Sequence, residues 1–451
     1  MSVADQMMLA IRDHTASVGV IGLGYVGLPL ATTFARNGFR VIGIDIDECK
    51  LRKLARGESY IQDVPSELIG SLRAEERFAS TGDYGALKHC DVIFICVPTP
   101  MTAHKAPDLS YIEAAAHGIA AHLRAGQLII LQSTTYPGTT EEFVLPRLSE
   151  SGLEVGQDFF LAFSPERIDP GHTSSAGYDV NNTAKVVGGV TPACTRLASA
   201  LLDHLTASVH VVSSPRAAEM SKLLENTFRS VNIALVNELA LLCERMGIDI
   251  WEVIEAARTK PYGYMPFYPS AGVGGHCIPV DPYYLSWKAR EYDFFTRFIE
   301  FAADTNQLMP LHVVQLASRA LNRLAKHVKG ARILILGVAF KANIDDARNS
   351  PAERVIELFL EREAEVQYSD PYVASFDVGQ NVFHQPARVL RSVALTDAVL
   401  SDCDCVVIVT AHRAFDYAQV VRCAPLIVDA TNATRGVRDG LDKVVRIGAP
   451  M

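Results

Sequence analysis

The run Gly22-Leu23-Gly24-Tyr25-Val26-Gly27 constrains this chain more than any other stretch. Residues 18–21 before it are Val, Gly, Val and Ile, a strand-like segment, and residues 27–37 after it are patterned as a helix. Three glycines between a strand and a helix allow a tight turn and a close approach of backbone to a ligand. The helix N-terminus then offers backbone N–H groups to an anion. Asp45 closes the next strand-like segment, 40–46, about 20 residues on, where a carboxylate is expected to meet a ribose 2′-hydroxyl. Acids follow it, and no arginine occurs until Arg52. The expected ligand is therefore NAD rather than NADP, held by Gly22, Gly24, Tyr25, Val26, Gly27 and Asp45.

The same rhythm continues. Segments 91–97, 127–132 and 159–163 are short, apolar and separated by helical patterns, which predicts a parallel, doubly wound α/β sheet. Segments 182–187 and 208–212 are expected to add strands at its far edge. From Pro215 the texture changes, because residues 216–245 hold no proline and place apolar side chains near helical period. That run predicts a long central helix, followed by a second at 251–257. Residues 260–281 read as a loop rich in glycine, proline and aromatics, and 295–324 as a further helix. The α/β rhythm then restarts, with strands at 332–336, 365–368, 405–409 and 426–428 and a helix at 350–360. The expected architecture is α/β, with two Rossmann-like doubly wound domains joined by a long central helix. The expected division is 1–210, 211–325 and 326–451.

Bulk composition narrows the partners. A net charge of −9 gives no basic footprint for nucleic acid, so none is expected as a partner. No apolar run reaches the length of a membrane span, and the first 17 residues lack the pattern of a signal peptide. Nine cysteines show no framework spacing and no C-x-x-C, so no metal site is expected and a reducing cytoplasm fits.

Several segments carry candidate chemistry. Val97-Pro98-Thr99-Pro100 and Gln132-Ser133-Thr134-Thr135-Tyr136-Pro137-Gly138 end strands, where ligands of open α/β sheets lie. Small hydroxyl residues there serve a cofactor or an ordinary turn equally well. Ser164-Pro165-Glu166-Arg167-Ile168-Asp169-Pro170-Gly171 ends another strand, and an acid there can move a proton. Lys222 and Asn226 lie four apart on the central helix and project from one face. Gly274-Gly275-His276-Cys277 places a thiol in a glycine-rich loop four residues before Asp281. A lone cysteine is more often a small buried hydrophobe than a nucleophile. Adjacent His276 is a poor base for it, since neighbours in an extended loop point apart.

Taken together, these motifs resemble the UDP-glucose/GDP-mannose dehydrogenase family of nucleotide-sugar 6-dehydrogenases, almost end to end. The marks are the glycine motif, Val97-Pro98-Thr99-Pro100, Ser133-Thr134, Ser164-Pro165-Glu166, Glu219-Met220-Ser221-Lys222 with Asn226, Gly274-Gly275-His276-Cys277 with Asp281, and Phe340-Lys341 with Arg348. The resemblance implies a four-electron oxidation of a sugar C6 alcohol to a carboxylate with two NAD. It implies Cys277 as nucleophile, Lys222 and Asp281 at a water and developing oxyanions, and Glu166 with Thr134 in thioester hydrolysis. Asn226 is implied at the oxyanion or the substrate. Pro98, Thr99, Ser133, Thr134 and Arg348 are implied at NAD. Glu166, Arg167, Lys222, Asn226, Phe267, Gly274 and Lys341 are implied at a UDP-sugar. A homodimer through the central helix is implied as well. The loop around Cys277, with His276 before the cysteine and Val280 before the aspartate, looks most like the UDP-N-acetylhexosamine branch. UDP-N-acetylglucosamine is the expected sugar, ahead of its manno epimer and UDP-glucose. A two-electron oxidation or an NAD-assisted epimerisation is the rival chemistry, and a non-catalytic nucleotide-sensing scaffold the rival outside enzymes. One departure is Thr431, where the family often has arginine before the asparagine, here Asn432.

Overall fold

The computed structural model describes residues 1–61, 63–102, 106–167, 182–379 and 387–450. The chain divides into two compact units, 1–225 and 226–451, and the division falls inside the helix Pro215–Met246.

The first unit is built on eight strands: β1 (Ser17–Ile21), β2 (Arg40–Ile44), β3 (Phe78–Thr81), β4 (Val92–Ile95), β5 (Leu128–Leu131), β6 (Phe160–Phe163), β7 (Lys185–Gly189) and β8 (Val209–Val211). Their order is β3-β2-β1-β4-β5-β6-β7-β8, with every pair parallel except β6 against β7. The first six strands follow the doubly wound order, whose switch point lies between β1 and β4. Strands β4, β5 and β6 are buried along their whole length, because helices cover both faces of the sheet. Alternate residues feed two cores. Val18, Val20, Phe94 and Ile130 pack on one side, and Ile21, Ile93, Ile95 and Leu131 on the other. Period-2 side-chain alternation produces this division.

The second unit repeats the plan. Strands β9 (Arg332–Leu336), β10 (Glu365–Ser369), β13 (Cys405–Ile408), β14 (Ile427–Asp429) and β15 (Val444–Arg446) form a parallel sheet in the order β10-β9-β13-β14-β15. A separate antiparallel hairpin pairs β11 (Ser375–Val378) with β12 (Arg388–Arg391). Two cores again flank the main sheet, one through Ile333, Ile335 and Val407, the other through Leu334, Val406 and Ile408.

The central helix runs unbroken over 32 residues, Pro215–Met246, with proline at its start where a missing N–H costs nothing. Helices Ile250–Arg258 and Arg297–Arg323 match the sequence expectation closely. Several elements were not anticipated, among them the β11–β12 hairpin and the helix Val3–Arg12. The edge strands β3 and β15 are short and partly polar, and the helix Asp281–Ala289 begins where a loop was expected to end. Its signals were a proline in the first turn and an acid at the start, which favour a helix N-terminus.

Candidate functional site

At the switch point of the first sheet the three motif glycines have separate physical reasons. Gly22 has φ +88°, and a Cβ there would lie 2.6 Å from the Cys96 carbonyl oxygen at the end of β4. A Cβ on Gly27 would lie 1.8 Å from the Gly22 carbonyl oxygen. Both glycines are therefore demanded by the turn itself. Gly24 is different, because a Cβ there meets nothing within 4 Å. Its open flank fits the close approach of a pyrophosphate to backbone. Helix Gly27–Arg36 starts directly behind it, with exposed Tyr25 and half-buried Val26 between.

Asp45 is buried at the end of β2, and its Oδ2 accepts the Leu23 N–H at 2.8 Å. Its Oδ1 accepts the Asp47 N–H at 2.9 Å, and Lys50 Nζ lies 3.4 Å from Oδ2. The carboxylate thus shapes the glycine turn as well as facing it. Lys50 was missed by sequence reasoning, which looked for arginine only.

The ends of β4 and β5 are tied together. Ser133 Oγ hydrogen-bonds to the Val97 carbonyl at 2.7 Å and lies 3.2 Å from the Ile95 carbonyl. Its hydroxyl proton is committed to backbone. Pro98 is exposed, while Thr99 and Thr134 are half-buried. The loop behind Thr134 is fixed by Glu219 of the central helix. This wholly buried carboxylate accepts the Gly138 N–H at 2.6 Å, the Thr140 N–H at 2.9 Å and the Thr140 hydroxyl at 2.7 Å. Burial raises the Glu219 carboxyl above its ordinary range, against the pull of those three donors. Lys222, half-buried, follows three residues along the same helix.

Glu166 ends up paired. Lys185 at the start of β7 places Nζ 2.7 Å from Glu166 Oε2, and Gln132 Nε2 donates to the same oxygen at 2.9 Å. Arg167 is held by Glu225 of the central helix at 2.8 Å and by the Ala184 carbonyl at 2.8 Å. The remainder of that motif, Ile168, Asp169, Pro170 and Gly171, lies outside the described residues. Lys185 and Gln132 were not singled out from sequence. The available signal was a lysine opening an otherwise apolar strand.

In the second unit the cysteine loop is laced to residues 340–349. The Gly275 N–H donates to the Arg348 carbonyl at 3.1 Å, and Asn349 Nδ2 donates to the Gly275 carbonyl at 3.1 Å. A Cβ on Gly274 would lie 2.8 Å from Phe340 Cβ, and one on Gly275 2.9 Å from the Phe340 ring. The paired glycines are needed because the loop runs flat against Phe340. His276 packs edge-on to that ring and lies 3.4 Å from Arg348 Nη2. Cys277 is half-buried, and its carbonyl accepts the N–H groups of Val280 and Asp281 at 3.0 and 2.8 Å. Asp281, buried in the first turn of its helix, accepts Asn226 Nδ2 at 2.6 Å. Phe267, earlier in the same loop, stacks edge-on to Phe228 of the central helix.

Arg348 forms a forked ion pair with Asp346, with Nη2 to Oδ2 at 2.6 Å. Burial pushes the Asp346 carboxyl up, but Arg348 more than offsets this and the net shift is downward. Lys341 is half-buried on the loop that follows β9. That loop repeats the logic of the glycine turn. Gly337 has φ +79°, and its Cβ would lie 2.3 Å from the Thr410 carbonyl oxygen at the end of β13. Asp370, at the end of β10, accepts the N–H groups of Val338 and Ala339 at 2.7 and 3.1 Å. Here, however, wholly buried His412 covers the acid, with Nε2 3.0 Å from Asp370 Oδ2 and Nδ1 accepting the Asn343 N–H at 2.9 Å. At the Thr431 departure, the threonine bonds to its own strand end at Asp429. Asn432 instead receives Arg446 Nη1 from β15 at 3.2 Å.

Comparison with known proteins agrees with this geometry. The sequence matches the UDP-glucose/GDP-mannose dehydrogenase family three times. The matches cover its NAD binding domain over residues 16–206, its central domain over 216–308 and its UDP binding domain over 334–436. The chain is similar to a UDP-N-acetyl-D-glucosamine 6-dehydrogenase from Pseudomonas aeruginosa, 40% identical over 80% of this chain and 84% of that protein. It is similar to a UDP-N-acetyl-D-mannosamine dehydrogenase from Pyrococcus horikoshii, 38% identical over 79% of this chain and 84% of that one. A solved UDP-D-ManNAc dehydrogenase structure from Pyrococcus horikoshii superposes with a TM-score of 0.85 at 32% identity, covering 96% of this chain and 99% of the other.

Proposed function

The chain belongs to the UDP-glucose/GDP-mannose dehydrogenase family and is an NAD-dependent nucleotide-sugar 6-dehydrogenase, and on that premise we propose that it oxidises UDP-N-acetylglucosamine to the uronic acid through a cysteine adduct. When bound, NAD accepts a hydride in each of the two oxidations. Cys277 adds its sulfur to the C6 aldehyde, giving a thiohemiacetal whose oxidation yields a thioester. Holding the aldehyde on sulfur keeps it in place between the two steps. Water then cleaves the thioester, with Glu166 taking its proton and Thr134 beside it. Lys222 and Asp281 act on the water and on developing oxyanions, and Asn226 orients Asp281 and the substrate.

The observation that carries this reading is the mounting of Cys277. Its loop is pinned by Asn349 and the Arg348 backbone, and its carbonyl caps a helix that starts with buried Asp281. The backbone on both sides of the thiol is thereby fixed, as a nucleophile that must meet one carbon atom requires. Gly22, Gly24, Tyr25, Val26, Gly27, Asp45, Pro98, Thr99, Ser133, Thr134 and Arg348 are proposed to contact NAD. Arg167, Phe267, Gly274 and Lys341, with Glu166, Lys222 and Asn226, are proposed to contact the UDP-sugar. The manno epimer is the second reading for the sugar, supported by similarity to N-acetylmannosamine dehydrogenases. The proposed division of labour keeps 1–210 for NAD, 211–325 for the connector and cysteine loop, and 326–451 for the UDP-sugar.

A cytoplasmic homodimer completes the proposal. Six apolar side chains of the central helix, Met220, Leu224, Phe228, Leu235, Leu239 and Leu242, are 39–60% exposed, a stripe suited to a second copy. All nine cysteines are free thiols. Among the described residues no helix is long and apolar enough to cross a membrane. A panel of UDP-sugars scored by NADH release tests the sugar assignment. Fastest turnover with UDP-N-acetylglucosamine supports it, and preference for UDP-glucose overturns it.

A further inference from the structure

We propose that Lys185, with Gln132, is a positioning residue that holds Glu166 ionised and aimed, so that Glu166 enters thioester hydrolysis as a base and not as an acid. This rests on the reading of Glu166 as the group that activates water. Lys185 is 2% exposed, and its side chain opens the all-buried strand β7. A lysine there is costly to bury without a partner. Its Nζ meets Glu166 Oε2 at 2.7 Å, and Gln132 Nε2 donates to that same oxygen at 2.9 Å. Oε1 accepts the Arg167 N–H at 2.8 Å. Three donors on one carboxyl group favour its ionised form, with lone-pair capacity left on Oε1 to take a proton from water.

Among the described residues of the first unit, the ionisable groups near Glu166 include Cys96 and Arg167, with Glu225 behind the latter. Arg167 gives its guanidinium to Glu225 and the Ala184 carbonyl, whereas buried Lys185 gives its ammonium to Glu166. Cys96, whose Sγ lies 3.9 Å from Gln132 Oε1, senses the pair. Burial raises its thiol most, the Glu166 charge raises it further, and Lys185 lowers it. Gln132 therefore bridges a neutral thiol and the carboxylate. In the step itself, water oxygen bonds to the thioester carbon while Glu166 receives a water proton. The carbon–sulfur bond then breaks, Cys277 leaves as thiolate, and the product is the carboxylic acid.

The test follows the decay of acyl-Cys277 in single turnovers across pH, using the UDP-N-acetylhexosamine that turns over. Lys185→Met is expected to leave the first NADH burst in place. The acidic limb of acyl-enzyme decay is expected to move up by about 1–3 pH units, the effect of removing an opposite charge at this range. Lys185→Arg should restore most of the wild-type profile. If Lys185→Met does not fold, Gln132→Met should move the limb in the same direction by less. Glu166→Gln is run in parallel and should slow decay by about 100-fold or more, leaving the acyl-enzyme visible by intact-protein mass. An unmoved limb in folded Lys185→Met or Gln132→Met, with Glu166→Gln stalled, overturns this inference alone. Normal decay in Glu166→Gln overturns the reading beneath it.

Discussion

At the scale of single residues, the glycines separate backbone need from ligand need. Gly27→Ala drives a Cβ to 1.8 Å from backbone and should unfold the first unit or cost it several kcal/mol. Gly24→Ala meets no protein atom within 4 Å, so its melting temperature should stay near wild type while its KM for NAD rises at least about tenfold. Thermal melts and NAD titration of the two variants check this contrast. Glu219 offers a second test. Both of its oxygens accept N–H donors, so Glu219→Gln turns an amide NH2 toward one of them and should cost about 1–3 kcal/mol in denaturant unfolding. Its carboxyl is raised in the fold, mainly by burial. The native state therefore binds a proton more tightly than the unfolded chain. The Glu219 contribution falls as pH rises from the ordinary 4.5 through the raised folded value, and Glu219→Gln should lose that slope.

At the scale of elements, the loop after β9 is held by a sealed acid–imidazole pair where the loop after β1 leaves its acid near the ligand's side. Burial pushes Asp370 up, but His412 and the backbone donors more than offset it, so its carboxyl titrates below the ordinary 3.8. A depressed carboxylate stabilises the fold above its unfolded value, and that stability is lost as pH falls through the folded one. Asp370→Asn should flatten this acid limb below about pH 3.8 in urea titrations. Much of this level was legible in the sequence. Strands β1, β4, β5, β6, β9 and β13 announce themselves as apolar runs because both of their faces are covered. Strand β3, Phe-Ala-Ser-Thr at an edge, carries too few apolar residues to be read. The motif residues of the candidate site could be singled out from the sequence as well. Their supports could not, since Lys185 meets Glu166 only through the antiparallel pairing of β6 with β7, and His412 meets Asp370 across 42 residues. Such partners depend on register and topology, which local patterns do not encode.

For the whole molecule, the apolar stripe of the central helix argues for assembly. Leu224 is 60% exposed, and placing a charge there should weaken a dimer at least about tenfold, or roughly 1.4 kcal/mol. Sedimentation of Leu224→Glu against wild type checks it, and a monomeric wild type would remove the proposal. The central claim is that one thiol captures the aldehyde made by the first oxidation and holds it through the second. Its most direct measurement is the ratio of NADH formed to UDP-N-acetylglucosamine consumed, in wild type and in Cys277→Ser. The account predicts two NADH per sugar and a uronate product in wild type, with four-electron turnover lost in Cys277→Ser. One NADH per sugar in wild type, or two in Cys277→Ser, would contradict it.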